Sequence, residues 1–112
     1  MTFLYKLYSL NNEFIKNTNY LPDNFTGYYI HERGNVKYFK NGLYHREDGP
    51  AIIKPSGTKE WLVKDKLHRI GGPAIESYVG ELFNAYYING ELISKEEHDL
   101  LYNLMKLKNI IR

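Results

Sequence analysis

The sequence predicts a mainly β protein, an antiparallel β-hairpin repeat meander with a C-terminal capping α-helix. Three observations indicate this fold class. Gly34, Gly57 and Gly80 lie 23 residues apart, and each begins a segment with a shared pattern. A β-rich arm follows each glycine and leads to a turn signal, of which Asn41-Gly42 is the strongest. After the last segment, a Ser-x-x-Glu box precedes leucines at helical spacing.

The first 27 residues lack the repeat and are predicted to form an N-terminal cap segment. Phe3–Leu10 alternates in the manner of a strand whose second face is partly buried. Asn11-Asn12 favours a turn, after which Glu13–Ile15 is predicted to return as a second strand, with a short helix as the alternative. With hairpin repeats over 28–93 and a helix over 94–112, the 112 residues are expected to form one domain.

Two complete repeat units follow, Gly34–Ser56 and Gly57–Val79. The first arm of each unit is rich in β-branched and aromatic residues, and a tight turn is expected at Asn41-Gly42 and at Asp65-Lys66. A second turn around Gly49-Pro50 leads into a short second arm. The third copy matches two residues late and then ends. Because a single hairpin is unstable in water, the units are expected to stack on one another.

The C-terminal helix is predicted to begin at Ser94, whose hydroxyl can accept a hydrogen bond from the backbone N–H of Glu97. Its apolar positions repeat every three or four residues and are expected to cover the exposed end of the hairpin stack. They are Leu100, Leu104, Leu107 and Ile111.

Composition excludes several function classes. The chain has no cysteine, so disulfides and thiolate metal sites are absent and a reducing, cytoplasmic compartment is expected. No stretch approaches the roughly 20 apolar residues of a membrane span. A net charge of +2 does not by itself indicate nucleic-acid binding. Eleven tyrosines are typical of half-buried sheets and contact surfaces.

The histidines offer one arrangement that suggests catalysis. His45 with Asp48 has the composition of half an acid–base dyad. The second unit keeps His68-Arg69 but loses both carboxylates that follow the pair in the first unit, which favours a structural role for the pair. In that role each His-Arg pair hydrogen-bonds between adjacent hairpins, and its guanidinium stacks on a Tyr or Trp ring. The four histidines are scattered, so neither a catalytic site, a metal site nor a cofactor is expected.

One aromatic residue recurs in each unit, at Tyr38, Trp61 and Tyr86. These rings are expected to form the spine of the sheet. The alternative is that they stack on nucleic-acid bases, which requires aromatic faces and cations together. The cations available for this are Arg46, Arg69, Lys59 and Lys64, and the second unit carries most of them.

The block His45-Arg46-Glu47-Asp48-Gly49-Pro50-Ala51, together with the Asn-Gly arm, resembles the MORN-like repeats of bacteriophage, large DNA virus and bacterial proteins. The resemblance spans roughly residues 21–105. It departs from the MORN pattern where His-Arg-x-x-Gly-Pro-Ala replaces a His-Gly-x-Gly turn, and the second unit has Ile70-Gly71 in place of Glu47-Asp48. The resemblance implies a meandering antiparallel sheet and a binding or scaffolding role, and it supplies no catalytic motif.

The expected function is therefore a non-enzymatic protein-binding module. The phage occurrence of the resembled repeats points to a host defence or regulatory protein as partner, and a homodimer through the N-terminal segment is also considered. Tyrosine and arginine dominate interface hot spots. The candidate binding residues are Tyr28, Tyr29, Tyr44, Tyr78, Tyr87, Arg46, Arg69, Lys59 and Lys64. The alternative is a nucleic-acid or nucleotide binder.

Overall fold

A computed structural model describes residues 3–109. Within them, short strands precede one helix, α1 (Lys95–Leu107). The strands are β1 (Tyr5–Tyr8), β2 (Phe14–Thr18), β3 (Gly27–His31), β4 (Val36–Lys40), β5 (Leu43–Tyr44), β6 (Ile52–Ile53), β7 (Lys59–Glu60), β8 (Leu62–Val63), β9 (Lys66–Leu67), β10 (Ile75–Glu76), β11 (Tyr86–Ile88) and β12 (Glu91–Ile93). All pairings are antiparallel, which confirms the predicted β-hairpin meander.

The main sheet has the strand order β10-β7-β6-β4-β3-β1-β2, and β5 pairs with β4 beside this path. Two further ladders, β8–β9 and β11–β12, project from it as separate hairpins. The result is an elongated molecule, 52 × 30 × 20 Å. The N-terminal segment joins this sheet: β1 lies between β2 and β3, so the second strand is confirmed and the helical alternative is wrong.

Each arm changes its pairing partner at its aromatic residue. The N–H of Tyr38 donates to the carbonyl of Ala51, and the N–H of Trp61 donates to Ala74, both over 2.7 Å. Before the aromatic residue the arm belongs to the main sheet. After it, β4 continues against β5, whereas β8 pairs with β9 in its own ladder. Each of the two complete units therefore contributes strands to the main sheet and also forms a short hairpin beyond its aromatic residue.

The tight turns carry positive φ angles at both central residues, as type I′ turns require. Asn41 and Gly42 have φ of 52° and 81°, and in the second unit Lys64 and Asp65 have 49° and 67°. The expected turn at Asp65-Lys66 is therefore wrong by one residue. The repeat, rather than the turn preference of individual residues, sets the position of this turn, because Lys64 lies 23 residues after Asn41.

Two clusters of buried side chains form the core. The first contains Leu7, Phe25, Tyr29 and Phe39, and the second contains Ala51, Ile52 and Leu62. Tyr44 packs against both clusters and joins them. Tyr29 is 6% exposed, so this candidate binding residue is part of the core. The alternation along β3 explains this outcome, since Tyr29 faces the core beside Leu7 and Tyr28 points to the other face.

Helix α1 begins as predicted, with Ser94 as N-cap and a complete capping box to Glu97. The expected packing face is wrong. Leu100, Leu104 and Leu107 are 63%, 46% and 81% exposed, and Ile111 lies outside the described residues. The helix instead buries His98, whose Nε2 accepts a hydrogen bond from the backbone N–H of Gly71. This hydrogen bond at the end of the hairpin stack orients the helix, and the three leucines remain on the surface.

Candidate binding face

Adjacent units are joined by a hydrogen bond from a turn to a histidine. The backbone N–H of Lys64 donates to Nδ1 of His45 over 3.1 Å, and the N–H of Asn89 donates to Nδ1 of His68 over 3.0 Å. At the N-terminal end the N–H of Asn41 donates to the hydroxyl of Thr26 over 2.9 Å. In each case the donor is the backbone N–H of the first central residue of a tight turn, so the same kind of bond occurs three times along the array. We call these three bonds the inter-unit staples.

The arginine of each His-Arg pair stacks on the aromatic residue of its own unit. The guanidinium of Arg46 lies 4.0 Å from the ring centre of Tyr38, and that of Arg69 lies 3.7 Å from Trp61. In the third unit the ring of His98 packs on Tyr86 at 4.9 Å. The predicted structural role of the His-Arg pairs is confirmed.

The Gly-Pro that follows each pair fits against the guanidinium. Nη1 donates to the carbonyl of Pro50 in the first unit and of Pro73 in the second, over 3.2 and 3.1 Å. A Cβ atom at Gly49 or Gly72 would lie 2.8 or 2.7 Å from the guanidinium carbon. Any larger residue would displace the arginine, which explains the glycine in both units.

The arrangement of His45 with Asp48 that suggested acid–base chemistry is not formed. Asp48 Oδ1 lies 2.9 Å from Nε of Arg46, and this hydrogen bond lowers the pKa of the Asp48 carboxyl. His45 Nε2 instead lies 3.2 Å from Oε1 of Glu47. Since Nδ1 accepts from Lys64, the neutral ring carries its proton on Nε2 and has no free lone pair for a substrate proton. Both ring nitrogens of His45 therefore contact other groups of the chain.

Three clefts follow one another along the His-Arg side of the array. Cleft 1, of about 430 Å³, lies between Leu10 and the arm of Tyr38. Cleft 2, of about 660 Å³, lies between the turn 46–50 and Trp61. Cleft 3, of about 830 Å³, lies between Arg69 and Tyr86. Clefts 2 and 3 lie between neighbouring units and are products of the repeat, whereas the N-terminal segment supplies one wall of cleft 1.

Only the two arginines among the predicted binding residues line these clefts. Tyr28, Tyr44 and Tyr87 are half-buried between strands, and Tyr28 donates its hydroxyl to Asn12. Tyr78 is 66% exposed but lies outside the clefts. Lys59 and Lys64 also lie outside them, one in β7 and the other in a tight turn.

Sequence reasoning missed the apolar surface at cleft 3. Leu82, at 96% exposed, and Leu92, at 67%, line this cleft, and Val79 and Phe83 are exposed beside Leu82. Leu82 and Phe83 belong to a 3₁₀ turn (Glu81–Phe83), and Leu92 belongs to β12. A signal for the first two existed in the spacing, since they lie between Gly80 and Tyr86, where the third copy runs two residues late.

In residues 3–109 no three histidine or carboxylate side chains are grouped so as to hold a metal ion. The helix found in that stretch is too short and too polar to cross a bilayer. Comparison with protein-family models, with curated protein sequences and with solved structures finds no match.

Proposed function

We propose that this chain is a non-enzymatic protein-binding module whose binding face is the row of three clefts. The observation that carries this proposal is the framework of the clefts. Inter-unit staples and stacked arginines fix their walls, so the face is formed before any partner arrives. A preformed surface loses little conformational entropy on binding.

The lining of the clefts favours a protein partner. Cleft 3 combines exposed Leu82 and Leu92 with the half-buried ring of Tyr86 and with Arg69. Exposed apolar groups bordered by charged groups are typical of protein interaction sites. Aromatic and arginine side chains are enriched at their centres. The histidines that could have served catalysis already hold backbone N–H groups.

The resemblance to MORN-like repeats supports the further proposal that the chain is phage-encoded and acts in the host cytoplasm. Its partner would then be a bacterial defence or regulatory protein that the chain binds and modulates. This part rests on the analogy between repeat sequences alone.

Quantitative cross-linking in bacterial lysate tests the protein-binding proposal. Wild type should capture a protein at a stoichiometric level, and the double variant Leu82→Glu/Leu92→Glu should lose it, because two carboxylates would enter the apolar part of cleft 3. Tyr20→Glu is the matched control, since Tyr20 is 82% exposed and lines none of the three clefts. Equal capture by all three proteins would contradict the proposed face.

Nucleic-acid or nucleotide binding is the alternative, and the observation that favours it is the stacking of a cation on Tyr38 and on Trp61. The guanidiniums cover one face of each ring, which leaves less aromatic surface for a base. Titration with a labelled single strand at several salt concentrations decides the matter, because phosphate contacts weaken steeply with salt. Binding that is lost in Lys59→Glu/Lys64→Glu would support this alternative.

A second copy of the chain is a further partner that we propose, through strand β2. This strand is an edge of the main sheet, and its residues Phe14 and Ile15 are 56% and 48% exposed. Open edges invite pairing with another chain. Sedimentation equilibrium should show a dimer that Ile15→Lys abolishes, and a monomeric wild type at high concentration would rule it out.

A further inference from the structure

The two complete units differ at the positions that neutralise the His-Arg pair. In the first unit Glu47 lies beside Nε2 of His45, and Asp48 lies beside Nε of Arg46. The residues 23 positions later are Ile70 and Gly71, which carry no carboxylate. The second unit therefore keeps the histidine and the arginine but lacks both of these carboxylates, and Arg69 contacts Glu76 instead.

The donors themselves are held in the same way in both units. Each arginine stacks on its aromatic ring, donates Nη1 to a proline carbonyl and lies against a glycine. Each histidine accepts a backbone N–H at Nδ1, which places its proton on Nε2. The first unit thus shows which ligand this constellation binds, namely carboxylate oxygens.

In the second unit these donors are open. Among residues 3–109, Nε of Arg69 and Nε2 of His68 have no hydrogen-bond partner. No buried side-chain nitrogen in that part of the chain lacks a partner, so both atoms reach solvent. Arg69 keeps one contact with Glu76, but through Nη1 and at 3.4 Å. Both His68 and Arg69 line cleft 2.

We propose that cleft 2 binds an acidic side chain of the partner protein, in the way that Arg46 binds Asp48 within the chain. The partner's carboxylate accepts hydrogen bonds from Nε and the adjacent amino group of Arg69. The Nε2–H of His68 donates to a second acceptor on the same peptide segment. This inference rests on the proposed protein-binding function and specifies the chemistry of its partner.

The walls of cleft 2 restrict the ligand further. Pro50, Val63 and Ile70 contribute apolar surface, which suits an Asp or Glu flanked by apolar residues. Glu47 and Asp48 stand on the opposite wall, where the charge of Asp48 is compensated by Arg46 and Glu47 contacts the ring of His45. A polyanion such as nucleic acid would place several phosphates along the wall that carries Glu47, whereas a single carboxylate reaches only the donors of Arg69 and His68.

Selection from a random heptapeptide display library, followed by calorimetric titration of the enriched peptides, tests the inference. Wild type should enrich peptides with one Asp or Glu between apolar residues. Arg69→Gln should bind them at least about tenfold more weakly, since a hydrogen bond to a charged group is lost. Arg33→Gln is the matched control, because Arg33 is exposed and lines none of the three clefts.

A variant that gains a binding site is also needed, because a loss of binding could result from misfolding alone. Asp48 is 86% exposed, and Asp48→Ala should open the donors of Arg46 and raise the stoichiometry from one peptide to two. The inference is overturned if no acidic peptide is enriched, if Arg69→Gln binds as wild type does, or if Asp48→Ala gains no second site. Binding of an oligothymidylate that needs Arg69 would assign the cleft to phosphate instead. A lysate partner retained by Arg69→Gln would overturn this inference alone and leave the protein-binding function standing.

Discussion

The staple between His45 and Lys64 should contribute measurably to stability, and His45→Phe isolates it. Phenylalanine keeps an aromatic ring in a site where His45 is 8% exposed, so little apolar contact is lost. It removes Nδ1, the acceptor for the backbone N–H of Lys64. This hydrogen bond is partly buried, and a donor left without its partner away from water costs about 1–3 kcal/mol. We therefore expect the free energy of unfolding to fall by that amount.

The loss of the contact between His45 and Glu47 would add little, because the Glu47 side chain is 75% exposed and surface ion pairs contribute about 0–1 kcal/mol. Glu47→Gln measures this part separately. Asparagine at position 45 places an amide oxygen close to the position of Nδ1, so His45→Asn should recover part of the lost stability. Thr26→Val removes the equivalent acceptor at an exposed site, where water can replace it, and should cost less.

Urea unfolding followed by tyrosine and tryptophan fluorescence gives these free energies, since Trp61 lies between two units. For a domain of this size, 1 kcal/mol corresponds to roughly 4 °C or more in the melting temperature, so a thermal scan is an independent check. An unchanged midpoint in His45→Phe would refute the reasoning. So would equal losses in His45→Phe and Thr26→Val, because burial is what makes the missing acceptor costly.

Three further predictions concern single positions. Ser94→Ala should cost about 1 kcal/mol by removing the observed N-cap, and an unchanged urea midpoint would contradict this. Lys64→Asn should stabilise by roughly 0.5–1 kcal/mol, because φ at position 64 is 49° and asparagine tolerates this region better than lysine; a lower midpoint would disprove it. Burial lowers the pKa of the His68 imidazole below its ordinary value of about 6.5, so the unfolded chain takes up a proton first. The contribution of neutral His68 to the free energy of unfolding should be fully present above pH 6.5. It should decrease as the pH falls through the lower pKa that His68 has in the folded state. His68→Asn, which keeps an acceptor but does not titrate, should show a smaller decrease when unfolding is measured at pH 7.5 and 5.

The parts of the fold that sequence predicts well are those that depend on local bonds or on the repeat. The capping box at Ser94 and the turn at Asn41-Gly42 are local, and both are observed. The turn at Lys64-Asp65 follows from the 23-residue offset, although residue types alone placed it one residue later. The guanidinium stacks follow because arginine and aromatic residues recur together in successive units.

What sequence did not predict depends on contacts between distant elements. The leucine stripe of α1 has the right period, but the helix packs through His98, because the end of the stack presents the N–H of Gly71. Thr26 replaces a histidine in the first staple without any repeat signal ahead of it. The spacing of His45 and Asp48 in sequence suggests a pair, whereas in the structure Asp48 contacts Arg46, whose guanidinium stacks on Tyr38.

The inter-unit staples also determine how such a chain can change length. Each of the two complete units accepts a backbone N–H from the next turn and donates one from its own turn, so the junctions between units are equivalent. Deleting residues 57–79 would bring the N–H of Asn89 to His45, with the same donor and the same acceptor as before. Genes for arrays of this kind can therefore gain or lose 23 codons at a time while every remaining inter-unit staple keeps a donor and an acceptor. An insertion of any other length must be accommodated in a loop, as it is before Tyr86.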